Sequence, residues 1–184
     1  MSTALELPIS LSHVDNLFEV IDGVEVEKPE GNRESMTICS RLSGEILVYA
    51  KPKGLGETYV EALIHLSPIR DRRPSFTYVS YETWPRNQSL LTENAWEIVP
   101  ELCVEVIRPL SLAVDIEDRL EEYFEAGVKQ VWVVYPRNAL VKVYRTLRKH
   151  TLLGLEDTLT GGELLPGFEL PLKELFRELA AKKG

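Results

Sequence analysis

LCVEVI, residues 102–107, and QVWVVYP, residues 130–136, bracket DIEDRLEEYFEAGV, residues 115–128. Two short apolar runs enclose one amphipathic segment. Ile116, Leu120, Tyr123 and Phe124 recur at i, i+4, i+7 and i+8, the face of a helix. Asp115 stands where an N-cap is expected and Gly127 where a left-handed C-terminal residue is. A helix between two buried strands is a crossover unit, which joins parallel neighbours in one sheet.

The rest of the chain supplies more strands. LFEVIDGVEVEKP, residues 17–29, reads as a hairpin, with Asp22-Gly23 as a type I′ turn signal. RESMTICSRLSGEILVYAKPKG reads as a helix from about Arg33 to Tyr49, with Met36, Leu42, Ile46, Leu47 and Tyr49 on its apolar side, ended by Pro52 and Gly54. ETYVEALIHL (57–66) and SFTYVSYE (75–82) are strand-like, separated by SPIRDRRP. LVKVYR, from Leu140, alternates as a half-exposed strand, and GGELLPGFELPLKELFRELAA, residues 161–181, reads as a loop and a terminal helix. The expected fold is α+β, a mixed central sheet flanked by helices with an N-terminal β-hairpin, in one domain over residues 1–184.

Composition bounds the function. A 184-residue chain that is 44% hydrophobic and 27% charged suits a globular domain with a sizeable core. No apolar run approaches the roughly 20 residues that span a bilayer. MSTALELPIS has neither a basic leader nor an apolar core, so no signal peptide is expected and the default location is the cytoplasm. Cys39 and Cys103 lie in no metal-binding spacing and read as buried thiols; His13, His65 and His150 are scattered. A net charge of −8 opposes coating of nucleic acid by bulk electrostatics. Two local basic stretches, RDRR (70–73) and RNALVKVYRTLRKH (137–150), are candidate phosphate contacts or plain solvated faces.

Within LCVEVI, Leu102, Val104 and Val106 point to one face, and Cys103, Glu105 and Ile107 to the other. A carboxylate in such a strand is costly unless it is paired or bound to a cation. Magnesium is one partner for Glu105, since it takes one or two protein carboxylates with water and phosphate oxygens. Arginine is the other. Arg119, on the border of the following helix's apolar face, either pairs with Asp115 or Glu122 at the surface or reaches over the helix edge to Glu105.

VPELCVEVIRP, DIEDRLEEYFEAGVKQVWVVYP and VKVYR, together with LFEVIDGVEV, RRPSFTYVS and GGELLPGFELPLKELF in that order, resemble the putative restriction endonuclease family, long filed as a domain of unknown function, within the PD-(D/E)XK nuclease superfamily. The similarity covers nearly the whole chain. It implies a restriction-endonuclease-like core and Mg2+-dependent hydrolysis of DNA phosphodiesters, by pairs of subunits in many members. By that resemblance Glu19 matches the acid before the first turn and Glu105 the acid of the (D/E)XK strand, and these two would hold the metal. Ile107 stands where the motif lysine would be. A lysine of the next helix usually replaces it, and Arg119 stands there. Ser75 matches the aspartate of the PD pair.

Two of the four positions thus depart from the pattern. Ser75 offers a neutral hydroxyl where a carboxylate is expected. Arg119 keeps its positive charge but cannot act as a base near neutral pH. Asp71, four residues upstream of Ser75 at roughly 3.3 Å per residue, lies too far along an extended chain to substitute, and Glu82 is farther. Two readings follow: an active or weakly active enzyme with one magnesium on Glu19 and Glu105 and Ser75 contributing directly or through water, or a disarmed relative in which Arg119 neutralises Glu105 while the fold binds nucleic acid or assembles with an active paralogue. The aromatic residues of SYETWPRNQSLLTENAWE (80–97) serve either as a dimer face or as a loop packed on its own domain.

Overall fold

The computed structural model describes residues 17–29, 31–86, 95–109 and 111–177. Twelve strands and three α-helices are found among them. Strand β1 (Phe18–Ile21) and β2 (Val24–Glu27) form the expected hairpin, and Asp22 and Gly23 both take positive φ, 54° and 76°, as a type I′ turn requires.

Helix α1 (Arg33–Ala50) is capped by Asn32, whose side chain accepts from the Ser35 N–H at 2.8 Å. Its buried face is Ile38, Cys39, Leu42, Ile46 and Ala50. Met36, read as part of that face, is exposed, because two residues from Ile38 is a rotation of about 200°. Leu47 and Tyr49 are half-buried at its edges.

ETYVEALIHL is two strands rather than one. Glu61 adopts φ 54° and breaks it into β3 (Gly56–Val60) and β4 (Ile64–Ser67), which join different sheets. The connection read after it contains a further strand, β5 (Arg70–Arg72). Then follow β6 (Phe76–Ser80), β7 (Leu102–Val106), α2 (Ala113–Ala126), β8 (Gln130–Tyr135), β9 (Leu140–Thr146) and β10 (Lys149–Leu153). The C-terminal loop is instead a hairpin of β11 (Thr158–Gly161) and β12 (Leu165–Pro171), with the four-residue helix α3 (Leu172–Leu175) after it. The remainder of the expected terminal helix lies outside the described residues, as do His13 and the stretch MSTALELPIS.

The main sheet runs β10-β9-β8-β7-β6-β3, and only its β7–β8 pair is parallel. That pair is the one the crossover helix α2 dictates. A second sheet runs β2-β1-β5-β4. Strand β7 is buried throughout and faces two cores. Leu102, Val104 and Val106 pack with Trp132 and Val134 on the α1 side; Cys103 packs with Leu120, Tyr123, Val131 and Val133 on the α2 side. Both cysteines are free and buried.

Helix α2 starts two residues before Asp115. Leu112 holds the N-cap position without a side-chain bond, and Asp115 sits in the first turn. Gly127 ends the helix at φ 101°, its N–H donating to the Tyr123 and Phe124 carbonyls. No helix among the described residues is long and apolar enough to cross a membrane. The described part of the aromatic loop packs on its own chain: Trp96 meets Tyr59 edge-on at 4.7 Å and pairs its backbone with β4.

Candidate functional site

Glu105 projects from the α2 side of β7, where the helix returns over the sheet. The second sheet abuts the same region, and β1 brings Glu19 into it. Arg119, one turn before Tyr123 on α2, fills the space between the two carboxylates. All of these are buried: Glu19 is 3% exposed, Glu105 7% and Arg119 8%. Ser75, in the connection entering β6, lies beside them in a polar cavity of about 60 Å3 that Glu105 and Arg119 also line. The four sequence-selected side chains therefore converge, although they come from four separate segments.

Their pairing is specific. The guanidinium forks onto Glu19, Nη1 donating to Oε1 at 2.8 Å and Nη2 to Oε2 at 2.6 Å. Nη1 also donates to Glu105 Oε1, more weakly, at 3.4 Å, and Nε donates to Asp115 Oδ2 at 3.1 Å. Arg119 thus makes the contacts to Asp115 and to Glu105 that the sequence offered as alternatives, and adds one to Glu19 that it did not. Its main partner is Glu19, because only there do two parallel N–H groups meet two carboxylate oxygens. The nearer partner of Glu105 is Tyr123, whose hydroxyl donates to Oε1 at 2.6 Å.

Glu19 receives two more bonds. The Arg73 backbone N–H donates to Oε1 at 2.7 Å and Arg72 Nη1 donates to Oε2 at 3.3 Å. A carboxylate has about four lone-pair sites, and Glu19 has a donor for each. Burial pushes its pKa up, but the hydrogen bond and charge of Arg119, the Arg73 N–H and the charge of Arg72 outweigh burial and hold it below 4.5. Arg119 itself is held above its ordinary value: burial opposes its charge, and Glu105, Tyr123 and Glu19 favour it.

Arg72 was read with RDRR as a surface cation. It is 2% exposed. Its guanidinium forks onto Glu122, at 2.6 and 2.9 Å, and reaches Glu19 as well. The rest of that stretch is committed too: Arg70 to Asp22 and Glu122, Asp71 to His65, and Arg73 to the Phe18 and Glu61 carbonyls. RDRR is internal scaffolding and not an open phosphate surface. The sequence marks none of Arg72, Glu122 and Tyr123 as a member of the Glu19–Glu105 site.

Ser75 spends its hydroxyl on structure. Its Oγ accepts from the Val106 N–H at 3.0 Å, and its carbonyl accepts from Cys39 Sγ at 3.3 Å. Burial pushes the Cys39 thiol up to about 11, which leaves it protonated.

A magnesium ion does not fit this donor set. Glu19 is saturated, one oxygen of Glu105 is engaged by Tyr123 and Arg119, and Ser75 contributes no charge. Among the described residues no group of three or more acidic, histidine or cysteine side chains is arranged to hold a metal.

Glu19 yields a pH prediction. Its folded pKa lies below its unfolded one, so its contribution to stability is present above about 4.5 and is lost as pH falls through the folded value. Glu19→Gln should melt well below wild type at pH 7, and the gap should narrow as pH falls below the ordinary carboxylate range. Melting curves of both proteins across that range test this; a gap that stays constant would show that the ionised carboxylate is not what stabilises.

A family model described as "Uma2: Putative restriction endonuclease" matches residues 3–173. Among solved structures, a putative nuclease belonging to DUF820 from Anabaena variabilis superposes with a TM-score of 0.77 at 19% identity, covering 88% of this chain and 90% of that one. At that identity the likeness concerns the fold. No curated protein matches the chain.

Proposed function

The chain belongs to the putative restriction endonuclease family whose model spans most of it, and from that membership we propose a protein with an endonuclease fold whose metal-dependent catalysis is impaired. The fold is α+β with a restriction-endonuclease-like core. We take residues 1–184 as one such domain in the cytoplasm, with DNA as its partner and pairing of subunits as an option.

One observation carries the impairment. Arg119 occupies the space between Glu19 and Glu105 with a bidentate grip on the first. A cation entering there would have to displace a guanidinium bound at 2.6 and 2.8 Å. Its other potential ligand position, Ser75, carries no charge to compensate. Arg119 supplies positive charge that could face a phosphate, yet it cannot accept a proton from water. What remains is a nuclease scaffold suited to binding or assembly.

Plasmid nicking in magnesium and in manganese tests this. Wild type should nick no faster than Glu105→Ala. A wild type that nicks while Glu105→Ala does not would restore the reading of an active enzyme, an Mg2+-dependent endodeoxyribonuclease that tolerates Ser75.

A further inference from the structure

On the outer side of α2, away from Glu105, runs an open groove of about 630 Å3 between that helix and the β1–β2 hairpin. Its apolar part comprises Ile21, Leu112 and Val114, the last two well exposed. Val24 pairs with Ile21 across the hairpin, so it extends the same face, and it is exposed too. The acidic rim is Asp118, Glu121 and Glu125, all exposed and none in an ion pair among the described residues. The groove's cations, Arg70 and Arg72, are already committed to Asp22 and Glu122. An apolar groove with an uncompensated acidic rim fits a basic protein segment carrying an apolar tip, and repels nucleic acid.

The chain itself presents such a segment. The turn between β9 and β10 carries Leu147, exposed, amid Arg145, Arg148 and Lys149. These three cations are exposed and have no acidic partner among the described residues. Strand β10 ends the main sheet, and no strand among the described residues pairs with its outer side. Like surfaces would repel: groove against groove sets acid on acid, and hairpin against hairpin sets base on base. The complementary contact is groove to hairpin. We propose that the β9–β10 hairpin of a second copy docks in this groove, Leu147 against Leu112 and Val114 and the cations over the acidic rim. The contact is heterologous, so copies associate head to tail rather than about a two-fold axis. It does not require metal binding or catalysis at the Glu19–Arg119 site.

Two charge reversals at exposed positions test the contact: Glu121→Lys with Glu125→Lys on the groove, and Arg148→Glu with Lys149→Glu on the hairpin. Sedimentation of the full chain should show association at low ionic strength that weakens about tenfold or more in high salt. Each variant alone should be monomeric. Their mixture presents one intact groove to one intact hairpin and the reversed hairpin to the reversed groove, so charge complementarity returns and association should return with it. Unchanged circular dichroism shows that the variants fold. A wild type that stays monomeric in low salt, or a mixture that does, overturns the proposal. So does loss of plasmid binding in the hairpin variant with association unchanged, which would assign the hairpin to nucleic acid.

Discussion

Arg119→Ala should cost about 3–5 kcal/mol, because it leaves two buried carboxylates without their shared cation. For a chain of this size that is a fall in melting temperature of roughly 10 °C or more. The exposed arginines of the β9–β10 turn, changed the same way, should move stability by about 0.5 kcal/mol or less. The pH response makes the cause visible. In wild type Glu19 is held below its ordinary pKa, so acid destabilises. Without Arg119, burial dominates and the folded pKa rises above the unfolded one. The native state then binds more protons than the unfolded state, so the variant gains stability as pH falls from 7 toward 5. A melting temperature that declines in parallel with wild type over that range would mean that Glu19 keeps its charge without Arg119. Glu19→Gln combined with Arg119→Met should lose less than the two single changes added, since each is the other's main partner and the double variant removes both, leaving only the weaker contact of Glu105 unmade.

What the sequence reveals here depends on how far apart the interacting residues are. The β7–α2–β8 unit is legible because its signals are local: two apolar runs, one helical face, one terminal glycine. Glu105 stands out because a single carboxylate in an apolar strand demands a partner. The identity of that partner is not local. Arg119 and Glu19 lie 100 residues apart and meet only because β1 pairs with β5 beside α2. Arg72 is harder still. It sits in a three-residue strand with no apolar pattern, and its partner Glu122 is 50 residues away. A run such as RDRR looks solvated until the register shows that alternate members turn inward. Tyr123 was legible as a core residue but not as a donor, because its ring satisfies the helical pattern whatever its hydroxyl meets. The β11–β12 hairpin was hidden by Pro166, Gly167 and Pro171, which read as loop; Gly167 takes φ 80° within the strand, a conformation only glycine adopts freely.

The departures at Ser75 and Arg119 belong together. An aspartate at position 75 would bring a third carboxylate toward Glu19 and Glu105, and three acids without a metal are untenable at neutral pH. A forked guanidinium between two acids is the complementary arrangement when the third acid is missing. Ser75→Asp alone should therefore do little, since Arg119 still holds Glu19. Adding Arg119→Lys should matter more. Lysine is a point charge without the planar fork, so it cannot saturate both oxygens of Glu19, and burial can lower its pKa toward the range of a base. The cavity of about 60 Å3 beside Ser75 has room for the two further heavy atoms of an aspartate. We expect the Ser75→Asp, Arg119→Lys double variant to bind Mn2+ in titration calorimetry and to nick plasmid about 100-fold above the Glu105→Ala background, the scale of one restored electrostatic group. Each single variant should stay within about threefold of that background, an effect too small for a recovered charge contact. A double variant that folds but takes up no Mn2+ would show that these two positions alone do not make a metal site. A Ser75→Asp single variant that nicks as fast as the double would show that Arg119 yields to the ion, and the impairment would then reside in the serine alone.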